Sequence, residues 1–400
     1  MITTDFKDKK LPLLGLGAMR FPLKENSTDP SAVDIEKTRE IIKYAMDNGV
    51  NYFDTAYPYH GSQSEIIVGS ILSDFPRESY YIATKYPGHQ ILSSYDPKAI
   101  FEEQLKKCKT DYFDFYLLHN IYENSIKTYT DKRWGIIDYF IKQKELGRIK
   151  HLGFSTHGGC IFLRDFLKEY GSCMEFCQIQ LNYVDWSLQD AKTKCEILNE
   201  YNIPIWVMEP VRGGKLAGLT AEDTKTLVQL NNERTPAEWA FRWLQGIDNV
   251  KVILSGMSSL EQIKENVKTF AERITLTDTE CKALYSIADK LKTTVPCTAC
   301  GYCIEGCPNG INIPDMLASY NEICFSPSFN IGMRMDAVPV GKRAIDCISC
   351  NKCSKICPQS IDIPSALKEF VKRLETLPKW ADICKQRELA ARMLKDNKEQ

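Results

Sequence analysis

The chain has 400 residues, 44% of them hydrophobic and 26% charged, enough to bury one full-sized core and a smaller appended domain. Its 51 Lys and Arg offset 52 Asp and Glu, leaving a net charge of −1, so bulk electrostatics give no reason to expect nucleic acid or an anionic membrane surface as a partner. The opening "MITTDFKDKKLPLLG" lacks the apolar core of a signal peptide, and the most apolar runs, such as "IPIWVM", are too short to span a bilayer. A cytoplasmic protein is expected, in which 16 cysteines point to metal ligation rather than to disulfides.

In chain order the β-rich runs are 11–19, 50–56, 79–85, 112–119, 148–155, 176–182, 203–209 and 249–256. Amphipathic helical stretches lie between them, at 36–48, 97–109, 133–146, 188–201, 236–244 and 259–271. Repeated strand–helix units build a parallel sheet, and about eight of them in roughly 250 residues suit a closed (β/α)8 TIM barrel better than an open sheet. The early "GLGAMRF" is a poor dinucleotide fingerprint, because Gly15 and Gly17 lack a third glycine and run into a loop. Residues 120–134 form a long loop after the strand 112–119, of the kind that shapes a substrate pocket.

Beyond the barrel, "CTACGYCIEGCP" (297–308) and "CISCNKCSKICP" (347–358) both read C-x2-C-x2-C-x3-C-P. In the bacterial two-cluster pattern, three cysteines of one run and the fourth of the other hold each 4Fe–4S cluster. One cluster is therefore expected on Cys297, Cys300, Cys303 and Cys357, and a second on Cys347, Cys350, Cys353 and Cys307. Structural zinc is the alternative, outweighed by eight cysteines with both prolines in register. The repeat continues through "CPNGINIPDML" (307–317) and "CPQSIDIPSAL" (357–367), where proline suits the first turn of a helix. Residues 326–344 read as an exposed loop and 365–396 as terminal helix. Two domains follow: a barrel over 1–292 and a smaller, mainly helical ferredoxin-like domain over 293–400.

Chemistry in such a barrel gathers at the C-terminal ends of the strands. There the sequence places Asp54, Lys85 and His119 on three successive strands, with Tyr59 in the loop after the first of them. A phenol beside an ammonium, a carboxylate and an imidazole has the makings of a general acid whose pKa a neighbouring cation lowers.

At these residues the chain resembles the aldo/keto reductase family, in "NYFDTAYPYHGSQSE" (51–65), "ATK" (83–85), "LLH" (117–119), "GFS" (153–155), "QIQLN" (178–182) and "ILSGMSSLEQIKEN" (253–266). The resemblance implies that Tyr59 donates the proton to a substrate carbonyl, that Lys85 lowers its pKa and is held by Asp54, and that His119 orients the carbonyl. It implies a small carbonyl or alcohol substrate and a nicotinamide cofactor, NADP or NAD, contacted by Ser155, Thr156, Gln178, Met208, Arg212, Gly214, Lys215, Gln262 and Asn266. Thr156 replaces the usual asparagine and Met208 the aromatic residue that often stacks on the nicotinamide. Gly256 and Gln262 stand where many relatives place a lysine and an arginine around the 2′-phosphate.

Hydride chemistry moves two electrons together, whereas clusters accept one at a time. The clusters are expected to exchange electrons with a redox partner such as ferredoxin or flavodoxin, directly or through an FMN for which no motif is legible. Two alternatives are the same enzyme with purely structural clusters and a non-catalytic, redox-responsive binding protein. The intact set of Asp54, Tyr59, Lys85 and His119 argues against the second.

Overall fold

A hairpin opens the chain, β1 (Thr3–Phe6) and β2 (Lys9–Pro12), turned through Lys7 at φ +52°. Eight short parallel strands follow: β3 (Leu14–Gly17), β4 (Tyr52–Asp54), β5 (Tyr81–Tyr86), β6 (Phe113–Leu118), β7 (Ile149–Thr156), β8 (Cys177–Gln180), β9 (Ile205–Met208) and β10 (Val250–Ser255). They close in the order β10-β3-β4-β5-β6-β7-β8-β9, the (β/α)8 barrel expected from the alternation of strands and helices. This computed structural model describes residues 1–92, 94–292, 295, 297, 301–357 and 359–396; the predicted ligand Cys300 lies outside them. Among the described residues no helix is long and apolar enough to cross a membrane.

The strands are apolar on both faces because helices cover the outside and side chains fill the inside. Tyr52, Phe115, Phe176 and Trp206 form the interior with Phe6, which the hairpin contributes. Phe6 meets Trp206 edge to face at 5.1 Å, and the Trp206 indole N–H donates to the Tyr52 hydroxyl at 2.9 Å, so these two polar groups of the aromatic layer are paired with each other. The hairpin packs against early residues of the strands, and their C-terminal ends remain for the site.

Helix-on-helix packing under the site depends on Gly69 in the helix Ser64–Leu72. A Cβ there would lie 2.4 Å from the Lys107 carbonyl oxygen and 2.5 Å from the Cys108 Cα, backbone atoms that cannot swing aside. Gly69→Ala should therefore destabilise the barrel by about 1–3 kcal/mol despite alanine's better helix propensity, seen as a lower urea midpoint. Gly218→Ala, whose Cβ would meet only ordinary contact at 3.8 Å, is the control and should leave the midpoint nearly unchanged.

Two compact units are present, and their limits differ from a cut at residue 292. The first comprises Met1–Asn182, Ala191–Glu280 and Cys384–Gln400; the second comprises Tyr183–Asp190 and Cys281–Ile383. Within the second, the internal repeat is visible in the packing: residues fifty positions apart play the same part. Ile311 and Ile361, Ile313 and Ile363, and Leu317 and Leu367 are all buried in one core, and the rings of Tyr320 and Phe370 lie 6.1 Å apart. Each repeat enters its long helix, Ile313–Phe325 or Ile363–Glu375, through a first-turn proline.

Two expectations for this half need correction. Residues 326–344 are not loop throughout, because a helix, Phe329–Ala337, starts on a Ser328 cap and buries Ile331 and Met333. Residues 365–396 are not one helix either; the chain breaks before Pro378 and starts again as Trp380–Asp396.

Candidate active site

A sharp turn after β4 sets Tyr59 at the barrel rim. His60, Gly61 and Ser62 all have left-handed backbones, at φ +52°, +60° and +70°. Such strain persists only where neighbours over-determine it. Here His60 Nδ1 lies 2.7 Å from the Pro30 carbonyl while Nε2 accepts from the Phe21 N–H at 3.2 Å, and the Ser64 hydroxyl donates to the Ala18 carbonyl at 3.0 Å.

Lys85, near the end of β5, is fully buried and uses all three ammonium donors. They go to Asp54 Oδ1 at 2.5 Å, the Thr55 carbonyl at 2.8 Å and the Tyr59 hydroxyl at 3.4 Å. Burial works to lower the Lys85 pKa, but Asp54 and Tyr59 outweigh it and hold the ammonium above the usual lysine range. Burial lifts the Asp54 carboxyl above its usual range against the pull of Lys85. Tyr59 differs from the sequence expectation of an acidified phenol. Burial raises it above the ordinary tyrosine range, and Lys85 offsets this only in part. Spacing alone does not reveal that desolvation exceeds the ion's pull.

His119 follows β6 and meets the Tyr59 ring edge-on, with centroids 6.0 Å apart. Its backbone carbonyl lies 2.8 Å from the Tyr129 hydroxyl, which anchors the loop 120–134. Burial first, then His89 and Lys85, push the His119 imidazole well below its usual range, so it is neutral and able to donate through one ring nitrogen. His89, in the loop after β5 and not revealed by spacing, is buried with its ring 4.2 Å from that of His119. A second residue that spacing did not reveal is Arg387, which acts electrostatically on Tyr59, His89 and His119 from the far end of the chain.

The nicotinamide candidates fall into three groups. Ser155 and Gln178 are register partners on β7 and β8, and Gln178 Oε1 is buried without a hydrogen-bond partner among the described residues. An orphaned acceptor beside a hydroxyl suits a carboxamide. The Thr156 hydroxyl is instead used within the fold, donating to the Ile121 carbonyl at 2.6 Å and accepting from the Gly158 N–H at 2.9 Å. Met208 ends β9, half-buried.

Past it, Gly213 and Gly214 turn at φ +63° and +92°, with Arg212 buried and Lys215 exposed. The loop after β10 leads into the helix Leu260–Thr269, capped by Ser259. Gln262 Oε1 accepts from the Ser258 N–H at 2.7 Å, and the Asn266 amide donates to the Ser255 hydroxyl at 3.1 Å. Arg20 pairs with Glu209 at 3.2 Å and lies over Gly256, where a Cβ would be 3.1 Å from its stem.

Cysteines from both runs meet in the second compact unit. A recess with about 360 Å³ of empty space, part of it open to solvent, is lined by Cys307 together with Cys347, Cys350 and Cys353. Among the described residues no three Cys, His, Asp or Glu side chains close on the point that a single metal ion would take. A cluster spreads its thiolates around a body several atoms across, and the recess offers that wider arrangement. Cys303 is buried, and Cys297 and Cys357 pack against the same core.

Comparison with known proteins agrees with both halves. The 4Fe-4S dicluster domain matches residues 296–363, and the Aldo/keto reductase family matches residues 13–289. An uncharacterized oxidoreductase of Bacillus subtilis is 27% identical over 311 residues, 70% of this chain and 93% of that protein. An NADH-specific methylglyoxal reductase of Escherichia coli is 23% identical over 290 residues, 61% of this chain and 85% of that protein. The holo structure of an aldo-keto reductase from Bacillus halodurans shares the barrel, with a TM-score of 0.57 over 72% of this chain and 96% of that one, at 24% identity. A parallel eight-stranded barrel matched from its first strand to beyond its last thus carries a 4Fe–4S dicluster domain at its C-terminal end, and the chain is an oxidoreductase that belongs to the aldo/keto reductase family.

Proposed function

We propose that the chain interconverts a carbonyl and an alcohol with a nicotinamide cofactor at Tyr59, and that its two 4Fe–4S clusters exchange electrons with a separate carrier. The observation that carries the first part is the Lys85 ammonium, buried and bonded at once to Asp54 at 2.5 Å and to the Tyr59 hydroxyl at 3.4 Å. When bound, the nicotinamide supplies or takes the hydride at the substrate carbon. Tyr59 gives its proton to the oxygen as negative charge builds there. Neutral His119 donates a second hydrogen bond to that oxygen, and donors fixed in place before reaction stabilise the charge most. Ser155 and Gln178 would hold the carboxamide of either NADP or NAD.

For the clusters, Cys307 with Cys347, Cys350 and Cys353 would hold one, and Cys297, Cys300, Cys303 and Cys357 the other. Electron exchange is supported by the surface beside the first of these: Cys350 is exposed, and Ile345 and Ile348 present apolar side chains to solvent next to it. A carrier such as ferredoxin or flavodoxin suits that surface.

The test is anaerobic reconstitution of three variants. Cys307→Ala and Cys347→Ala should each remove the same half of about eight irons and the same resonance signature, while Cys303→Ala removes the other half. Grouping of Cys307 with Cys303 instead would overturn the crossed assignment. Reduction of the remaining cluster by NADH or NADPH with a carrier present tests the exchange.

A further inference from the structure

The two cysteine runs share one spacing and differ in charge. Glu305 is the single charged residue of 297–308, whereas Lys352 and Lys355 are the charged residues of 347–358. Lys342 and Arg343 precede the second run, opposed by Asp346. Arg343 and Asp346 are engaged within the turn itself. The Asp346 carboxylate accepts the Arg343 N–H at 2.8 Å, and the Arg343 guanidinium donates to the Val338 and Asp336 carbonyls at 2.7 and 2.9 Å. The three lysines are exposed, and none has an ion-pair partner among the described residues.

Their placement surrounds the recess that holds Cys307, Cys347, Cys350 and Cys353. Lys352, Lys355 and the exposed Ile356 share one side of the helix Lys352–Ile356, which buries Cys353. Lys342 lies over Gly310, where a Cβ would be 3.9 Å from its Cε. The neighbouring Asn309 is part of the recess wall and donates to the Asp346 carbonyl at 2.5 Å. Between these lysines Ile345 and Ile348 are 67% and 62% exposed, and Cys350 is exposed as well. The other ligand set is more covered: Cys303 is buried, and Cys297 and Cys357 are half-buried.

Exposed apolar side chains ringed by charge mark a surface that a protein partner covers. The isoleucines offer the contact, and the lysines attract and orient a partner of opposite sign. We propose that this face docks an acidic one-electron carrier protein, and that electrons pass through the cluster beside Cys350 rather than through the other. This deepens the electron exchange proposed above and rests on it for the transfer. In that transfer one electron leaves the reduced cluster for the oxidised carrier, or the reverse, and no covalent bond forms or breaks.

The cluster-loaded full chain is titrated anaerobically by calorimetry with a plant-type 2Fe–2S ferredoxin, an acidic carrier, and with cytochrome c, a basic one. Wild type should bind the ferredoxin in preference, with an affinity that falls as salt is added. Reversal of three charges in Lys342→Glu/Lys352→Glu/Lys355→Glu should weaken that binding by about thirty-fold or more, with iron content retained. Lys43→Glu/Lys98→Glu/Lys225→Glu, the same charge change at exposed lysines of the barrel unit, should leave it nearly unchanged. Equal losses in the two triple variants, or wild-type preference for cytochrome c, would overturn the docking face. Cluster reduction by dithionite-reduced ferredoxin at the same rate in wild type and the first triple variant would also overturn it, while leaving electron exchange standing. Salt-sensitive ferredoxin binding lost in the first triple variant, in a wild type whose clusters the reduced ferredoxin does not reduce, would uphold the face and remove the exchange.

Discussion

Tyr59→Phe should lower carbonyl reduction by about 10³-fold, within the 10²–10⁴ that a positioned proton donor contributes, with iron content and nicotinamide binding retained. The substitution removes one oxygen from a ring that already packs edge-on against His119, so the site keeps its shape and loses its acid. The pH profile provides a second readout. Burial raises the Tyr59 phenol despite Lys85, so the donor stays protonated from neutrality upward and reduction declines only as pH rises through that raised value. His119 is lowered well below its usual range, so it adds no acid limb near pH 6.5. Wild type should therefore be flat from about pH 6.5 to 9, and the residual activity of Tyr59→Phe should lack the alkaline decline. Undiminished turnover in Tyr59→Phe would show that the phenol is not the acid.

Lys85→Met should cost both activity and stability, and the two losses can be separated. Removing the ammonium leaves Asp54 buried with no counter-ion, a defect worth about 3–5 kcal/mol. It also leaves Tyr59 without its neighbouring cation, which should lower turnover by roughly 10²-fold or more. Converting the partner as well, in Asp54→Leu/Lys85→Met, removes both charges and should recover much of the urea midpoint, since buried pairs replaced by apolar residues are often tolerated. Activity should stay at the level of the single variant. Additive losses of stability in the double variant would mean that Lys85 and Asp54 are not one coupled pair.

The barrel was legible because alternation of β-rich and amphipathic runs requires a parallel sheet, and because Asp54, Lys85 and His119 fall where successive strands end. The environment around them was not. Burial of Tyr59 depends on residues far away in sequence, so the sign of its pKa shift could not be read from a lysine's proximity. Thr156 fell at a cofactor position by alignment of motifs, but its hydroxyl is engaged by Ile121 and Gly158, a local bond that spacing does not encode. The helix Phe329–Ala337 was hidden by the serines, prolines and glycine around it, although Ile331 and Met333 gave it a buried side. Arg387 carried no motif. Its signal was helical periodicity with Cys384 and Ala391, visible only once those two are known to be buried.

The recess that joins Cys307 to Cys347, Cys350 and Cys353 bears on how the protein matures. A nascent chain that has emerged only as far as residue 346 displays the four thiols of the first run with no partner run to close against. Iron and sulfide delivered at that stage would meet an incomplete cradle, so loading belongs after translation of the second run. On the crossed assignment proposed above, loss of a whole run would take ligands from both clusters, whereas loss of one cysteine would cost only one of them.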